Sequence, residues 1–233
     1  MSQASVVSWL ALRELWMSFR LILVLAVTVL AGAVVALLPA PLPVVMERLA
    51  IGLAAAAVVA GAVAAWSLAS ERRRGRTGWI IARAVPRATY LSGWFVALGS
   101  VALVGNVIAS GLGWLAATTV ALQLDAATFV AVVAATLAGS FAALALGTLL
   151  GILLPAAAAA LLTIVAGVGL AVAALSGQVP VEWVPGAGSF AVLAAYREGD
   201  GSLGPALVAT GVALATAGVL LGLARIALER AEL

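Results

Sequence analysis

The chain has 233 residues, of which 65% are hydrophobic and 9% charged, with a formal net charge of +3. An ordinary soluble domain carries about 25% charged residues, so a water-soluble globule, a disordered chain and a disulfide scaffold are excluded. All 12 basic residues are arginine, and lysine, histidine and cysteine are absent. Without thiolate or imidazole there is no ordinary zinc, copper or iron ligand set. Without lysine there is neither a Schiff base nor the lysine of a phosphate-binding loop. No catalytic, cofactor or metal site is therefore expected in this chain, nor ATP hydrolysis by a standard nucleotide-binding loop of its own. Arginine without lysine, amid abundant Ala, Gly and Val, fits the coding bias of a GC-rich bacterial genome.

In chain order, residues 1–20 come first. Trp9, Leu12, Trp16 and Phe19 recur at helical spacing, with Arg13 and Glu14 among them. This pattern predicts an amphipathic helix lying on the inner membrane surface. The apolar stretch from Leu21 is too long for the core of a cleavable signal. Charged residues then punctuate the chain, and the uncharged gaps between them are 21–46, 49–70, 88–124, 126–181, 183–196 and 201–224. A helical span takes roughly 20 apolar residues. The first two gaps and the last are one span each. The gap 88–124 reads as one long span with an interfacial start near Tyr90–Trp94. The gap 126–181 has room for two spans, and Pro155 divides it because proline breaks a helix interior. The gap 183–196 is too short to cross and carries Pro185, Gly186 and Gly188; it reads as a re-entrant or interfacial segment. The expectation is an all-α polytopic membrane bundle forming a single domain over 1–233. Its six spans lie near 21–39, 49–69, 92–120, 127–153, 157–176 and 205–225. An interfacial helix over 1–20 precedes them, and an extracytoplasmic re-entrant segment over 177–204 precedes the last.

Arginine placement sets the orientation. With the N-terminus inside, Arg13, Arg20, Arg72, Arg73, Arg74, Arg76, Arg83, Arg87, Arg225 and Arg230 face inward, and only Arg48 and Arg197 face outward. Both termini are thus expected in the cytoplasm of a bacterial cell with the spans in its inner membrane.

No expected span has a charged residue in its interior. Ion-coupled transporters usually keep an ionisable group near the midplane, so that class is demoted. An intramembrane protease lacks its catalytic groups here. Small residues align at four-residue intervals: Gly139, Ala143, Gly147 and Gly151; Gly105, Ala109 and Gly113; Gly218 and Gly222. Such runs let helices approach closely. Asn106 is the one strongly polar side chain deep in a span, suited to bonding a neighbouring helix or to lining a path; Trp114 and Phe141 are the other path-lining candidates.

Residues 71–90 read ERRRGRTGWIIARAVPRATY, with six arginines and one glutamate. As a bare orientation anchor this segment would touch anionic lipid. Beyond that, Gly75 and Gly78 bracket Thr77 as at a helix start, Trp79, Ile80 and Ala84 form a short apolar face with Arg83, and Pro86 closes it before Arg87. Arg73 and Arg74, next to the second span, suit lipid anchoring.

With Glu71–Arg72, Gly75 and Thr77, a short apolar helix and Pro86–Arg87 between spans two and three, the chain resembles the permease subunits of the type-2 ABC exporter family. The Arg13–Glu14 pair before the first span and the six-span topology with a broken segment before the last extend the resemblance over the whole chain. Two positions depart from the family pattern: Arg76 separates Gly75 from Thr77, and Trp94 stands where a lysine is frequent. The resemblance implies an ATP-driven exporter in which ATP and Mg²⁺ sit on a separate ABC ATPase subunit. That subunit would dock on Glu71, Arg72, Gly75, Arg76, Thr77, Trp79, Ile80, Arg83, Pro86 and Arg87. It also implies a second permease, identical or homologous, with membrane lipid around the pair and no nucleic-acid partner. The apolar spans favour a hydrophobic or amphiphilic cargo. An ion-coupled transporter or channel and a non-transporting scaffold subunit are the competing readings.

Overall fold

In the computed structural model the described residues are 3–37, 42–75, 77, 85–119, 126–176, 179–191 and 204–230, and no strand occurs among them. Among the described residues there are seven long helices: α1 (Gln3–Met17), α2 (Arg20–Leu37), α3 (Leu42–Arg73), α4 (Arg87–Thr119), α5 (Ala126–Leu153), α6 (Ala156–Leu175) and α7 (Gly204–Arg230). Five of them, α3 to α7, are long and apolar enough to cross a membrane, and the count reaches six if the bent pair α1 and α2 makes one span. Within the gap 88–124 a single unbroken helix, α4, runs to Thr119, and 120–124 lie outside the described residues.

Helices α1 and α2 meet at 77° across a break at Ser18–Phe19. Phe19 has φ +60°, the left-handed region that costs a residue with a Cβ about 1–2 kcal/mol. Two backbone bonds hold this corner: the Phe19 N–H donates to Trp16 O and the Leu23 N–H to Phe19 O, both at 3.0 Å. One face of α1, Val7, Ala11 and Leu15, is buried against the bundle. Trp9, Leu10, Trp16 and Met17 are exposed.

Helices α3, α4 and α5 form the centre, with 50–61% of their most apolar stretches buried; α6 and α7 flank it, at 17% and 22%. The small-residue runs explain how closely the central helices pack. On α5, a Cβ at Gly151 would lie 2.7 Å from the Ala65 carbonyl oxygen of α3, and one at Gly147 would strike the Gly61 backbone. Across the same seam, a Cβ at Gly61 would lie 2.6 Å from the Ala143 carbonyl oxygen. On α4, Ala109 backs onto Gly32 of α2 and Gly105 onto Thr28. The pair Gly218 and Gly222 is different: among the described residues neither has a neighbour within 4 Å at its Cβ position. The buried face of α7 is instead Ala206, Ala209, Ala213, Ala217, Ala224 and Leu228. Both sets are small, so residue size alone does not identify the packed face.

Before α7 the chain folds back on the bundle. Val181–Trp183 forms one 3-10 turn. The Ala187 N–H then donates to Val184 O at 3.0 Å across Pro185–Gly186, and Gly186 has φ +89°, as position three of a type II turn requires. Val184, Ala187, Gly188, Ser189 and Ala191 are buried. Gly139 lies so close to Gly186 that a Cβ on it would sit 2.8 Å from the Gly186 Cα. This contact falls about 20 Å along α5 from its start, at 1.5 Å rise per residue. Residues 177–178 and 192–203 of the expected re-entrant segment lie outside the described residues.

Candidate functional site at the arginine-rich end of the bundle

The ends of α3, α5 and α7 meet the starts of α2 and α4 at one end of the bundle, and α1 packs across it. The main core cluster closes this end, joining Leu15 of α1, Val24 of α2, Leu68 of α3, Tyr90 and Trp94 of α4, Ile152 of α5 and Leu228 of α7. A layer of polar groups covers it.

Helix α3 terminates in this layer. The Arg74 N–H donates to Ser70 O and the Gly75 N–H to Arg72 O. Gly75 then adopts φ +70°, the left-handed conformation that ends helices and that glycine takes without a Cβ penalty. Two residues on, Thr77 is buried, and its Oγ1 lies 3.1 Å from the Tyr90 hydroxyl in the first turn of α4. Pro86 precedes α4 as its cap, its carbonyl accepting from the Tyr90 N–H. Glu71 is buried at the end of α3. Its carboxylate lies 4.0 Å from Arg74, which also pairs with Glu14 of α1 at 3.3 Å. Arg20, the first residue of α2, donates to Ser67 Oγ at 3.2 Å and lies within electrostatic reach of Glu14, Glu71 and Arg74. The corner between α1 and α2 is thus tied to the end of α3 through charges of both signs.

Two further arginines turn inward on backbone carbonyls. Proline has no N–H, so Pro155 leaves the Gly151 carbonyl without its helical donor. Pro155 itself is extended, with ψ 152°, which turns the chain away and ends α5. Arg72 Nη1 donates to Gly151 O at 3.2 Å and also to Ile152 O. Arg87, the first residue of α4, donates through Nη1 to Leu228 O at 2.9 Å and to Glu229 O in the last turn of α7. A helix C-terminus carries about half a negative charge, and a hydrogen bond from a charged donor contributes about 1.5–3 kcal/mol.

Of the residues expected to form a coupling site, Glu71, Arg72, Gly75, Thr77, Pro86 and Arg87 are brought together here. Arg87, expected to face a partner, uses its guanidinium on α7. Arg73 and Arg74, expected as lipid anchors, are both exposed, and Arg74 is also paired within the chain. Arg76, Trp79, Ile80 and Arg83 lie outside the described residues. Among the path-lining candidates, Asn106 is buried between α4 and α5, where its Nδ2 donates to Ala102 O at 2.8 Å and to Ser140 Oγ at 3.2 Å. Phe141 packs in the same seam against Phe95, with ring centroids 6.0 Å apart. Trp114 lies on α4, with its side chain outside the described residues. Sequence reasoning did not single out Tyr90 as the partner of Thr77, or Arg20 and Ser67 as a pair. The one available signal was Pro155, which announces a carbonyl in need of a donor.

No protein-family model matches the chain, and no curated protein matches it significantly.

Proposed function

We propose that this chain is the membrane-spanning subunit of an ATP-driven ABC exporter, with α2 to α7 as six spans and α1 lying along the inner surface. Carrying this reading is the Glu71–Arg72, Gly75, Thr77 and Pro86–Arg87 pattern, whose ends are anchored by burial of Glu71 and Thr77 and by the pairing of Arg74 with Glu14. Spans without interior charge leave no ion-coupling group, so energy would enter from an ATPase subunit docking on the segment between α3 and α4. Trp79 and Arg83 would supply its contacts, Arg73 would meet lipid phosphates, and a second permease would complete the path for a hydrophobic or amphiphilic cargo. The folded-back segment 179–191 would then lie in the outer leaflet, with the exposed Trp183 at the interface.

The test is affinity purification of the tagged chain from its native membrane, followed by assay of the eluate for ATP hydrolysis. The intact chain should retain a nucleotide-hydrolysing subunit. Trp79→Ala and Arg83→Ala should each lower its yield at least fivefold, whereas Arg73→Ala should leave it unchanged. Equal yields from all variants, or no ATPase activity with the intact chain, would sink the reading. Orientation has its own check. The chain contains no cysteine, so Ser2→Cys and Ser202→Cys can be labelled singly with an impermeant maleimide in sealed cells. Only the second should react before lysis; reaction of both or of neither would overturn the six-span topology.

A further inference from the structure

We propose that Arg72 and Arg87 are positioning residues, each capping the C-terminus of another helix, that tie α3 to α5 and α4 to α7 at the arginine-rich end so that each pair moves there as one body. The two residues flank the segment that joins α3 to α4. Each reaches across the bundle to a helix end far away in sequence: Arg72 to Gly151 and Ile152 of α5, Arg87 to Leu228 and Glu229 of α7. The two acceptor sites arise differently. At Gly151 the orphan is created by Pro155, whereas Leu228 and Glu229 lie in the last described turn of α7. Arg72 meets the end of α5, where the negative polarity of the helix favours a cation, and Arg87 meets the last described turn of α7.

The consequence is mechanical. Because α3 and α4 both carry a tie, displacement of either end cannot be taken up within one helix. Through Arg72 it reaches the Pro155 break between α5 and α6; through Arg87 it reaches the end of α7. That a partner would impose such a displacement rests on the exporter reading. The ties themselves do not, and the experiment needs no partner.

It uses the whole chain in lipid nanodiscs with paired nitroxide labels, read by pulsed electron resonance. One pair replaces Arg73 and Leu153, both exposed at the ends of α3 and α5; the other replaces Ser92 and Arg230, exposed on α4 and at the end of α7. With Arg72 and Arg87 intact, both distance distributions should be narrow. Arg72→Ala should broaden the first at least twofold and leave the second unchanged; Arg87→Ala should do the reverse. Arg72→Lys retains a cationic donor and should restore most of the first distribution, a rescue that loss of side-chain volume alone would not give. If an alanine variant does not yield folded protein, the lysine variant and backbone-amide exchange of 150–154 decide: exchange there should be accelerated by loss of the Arg72 tie and not by loss of the Arg87 tie. Unchanged widths in both alanine variants, or equal broadening of both pairs by either one, would overturn the proposal. A missing ATPase with intact ties would overturn only the exporter reading.

Discussion

Gly147→Leu is expected to abolish the folded bundle. A Cβ at this position strikes the Gly61 carbonyl, with the carbonyl carbon 2.8 Å away and the Gly61 Cα 3.2 Å away. The three nearest atoms it meets are all Gly61 backbone, and no rotation of a side chain can move them aside. Relief requires α3 and α5 to separate, and that opens the neighbouring approaches at Gly61–Ala143 and Gly151–Ala65. Overpacking a tight core costs about 1–3 kcal/mol and occasionally more; a clash against backbone on a central seam belongs at or above the top of that range. Gly218→Leu is the matched control, because among the described residues nothing lies within 4 Å of its Cβ position and exposed substitutions stay within about 0.5 kcal/mol. Size-exclusion profiles and thermal unfolding of the two variants in the same detergent make the comparison. Loss of the monodisperse peak for Gly147→Leu with retention for Gly218→Leu is the expected result. Equal behaviour would remove the α3–α5 seam from its central place.

The second large effect is expected from Glu71→Ala. The Glu71 side chain is 6% exposed and lies 4.0 Å from Arg74, with Arg20 in electrostatic reach. Removing its carboxylate leaves these two arginines facing one another with Glu14 as the remaining counter-charge that the structure places beside both. Breaking a buried ion pair costs about 3–5 kcal/mol. Arg74 is half exposed, so solvent screens part of the loss, and about 2–3 kcal/mol is the expected destabilisation. It should be concentrated at the corner between α1 and α2. Protease cleavage near Ser18–Phe19 should accelerate at least tenfold, and Glu71→Gln, which keeps the volume but not the charge, should recover less than half of the effect. A cleavage rate unchanged by Glu71→Ala would show that the corner is held without Glu71, by the Arg74–Glu14 and Arg20–Ser67 contacts and the apolar contacts of Val7, Ala11 and Leu15.

Much of the architecture was legible because a membrane makes charge punctuate a sequence. The uncharged gaps located the helices that became α2 to α7, and Pro155 located the break between α5 and α6. The same signal misplaced the helix ends. Helix α3 begins at Leu42 and carries Glu47 and Arg48 within it, because a charge ends an apolar stretch without ending a helix. Helix α4 likewise begins at Arg87, ahead of the apolar run. Small residues at four-residue spacing marked real seams on α4 and α5. They failed on α7, where alanines occupy the opposite face and pack equally well. At the arginine-rich end the charges were visible, but the acceptors of Arg72 and Arg87 were not. Every residue carries a carbonyl, so composition does not show which one lacks a donor. Only four residues before a proline does the sequence mark it. The Thr77–Tyr90 contact is similarly silent, since it depends on how the chain turns after Gly75.

The two arginine ties also set a timetable for synthesis. Arg72 emerges 79 residues before Gly151, and Arg87 emerges 141 residues before Leu228. During translation each guanidinium is therefore made long before its acceptor, with water and lipid headgroups as its interim company. The α3–α5 tie becomes available once α5 has been made as far as Ile152, and the α4–α7 tie only after Leu228 has left the ribosome. A nascent chain arrested before Leu228 would hold α1 to α6 with the α4 end still unlatched, a form distinguishable from the latched bundle by the freedom of that end.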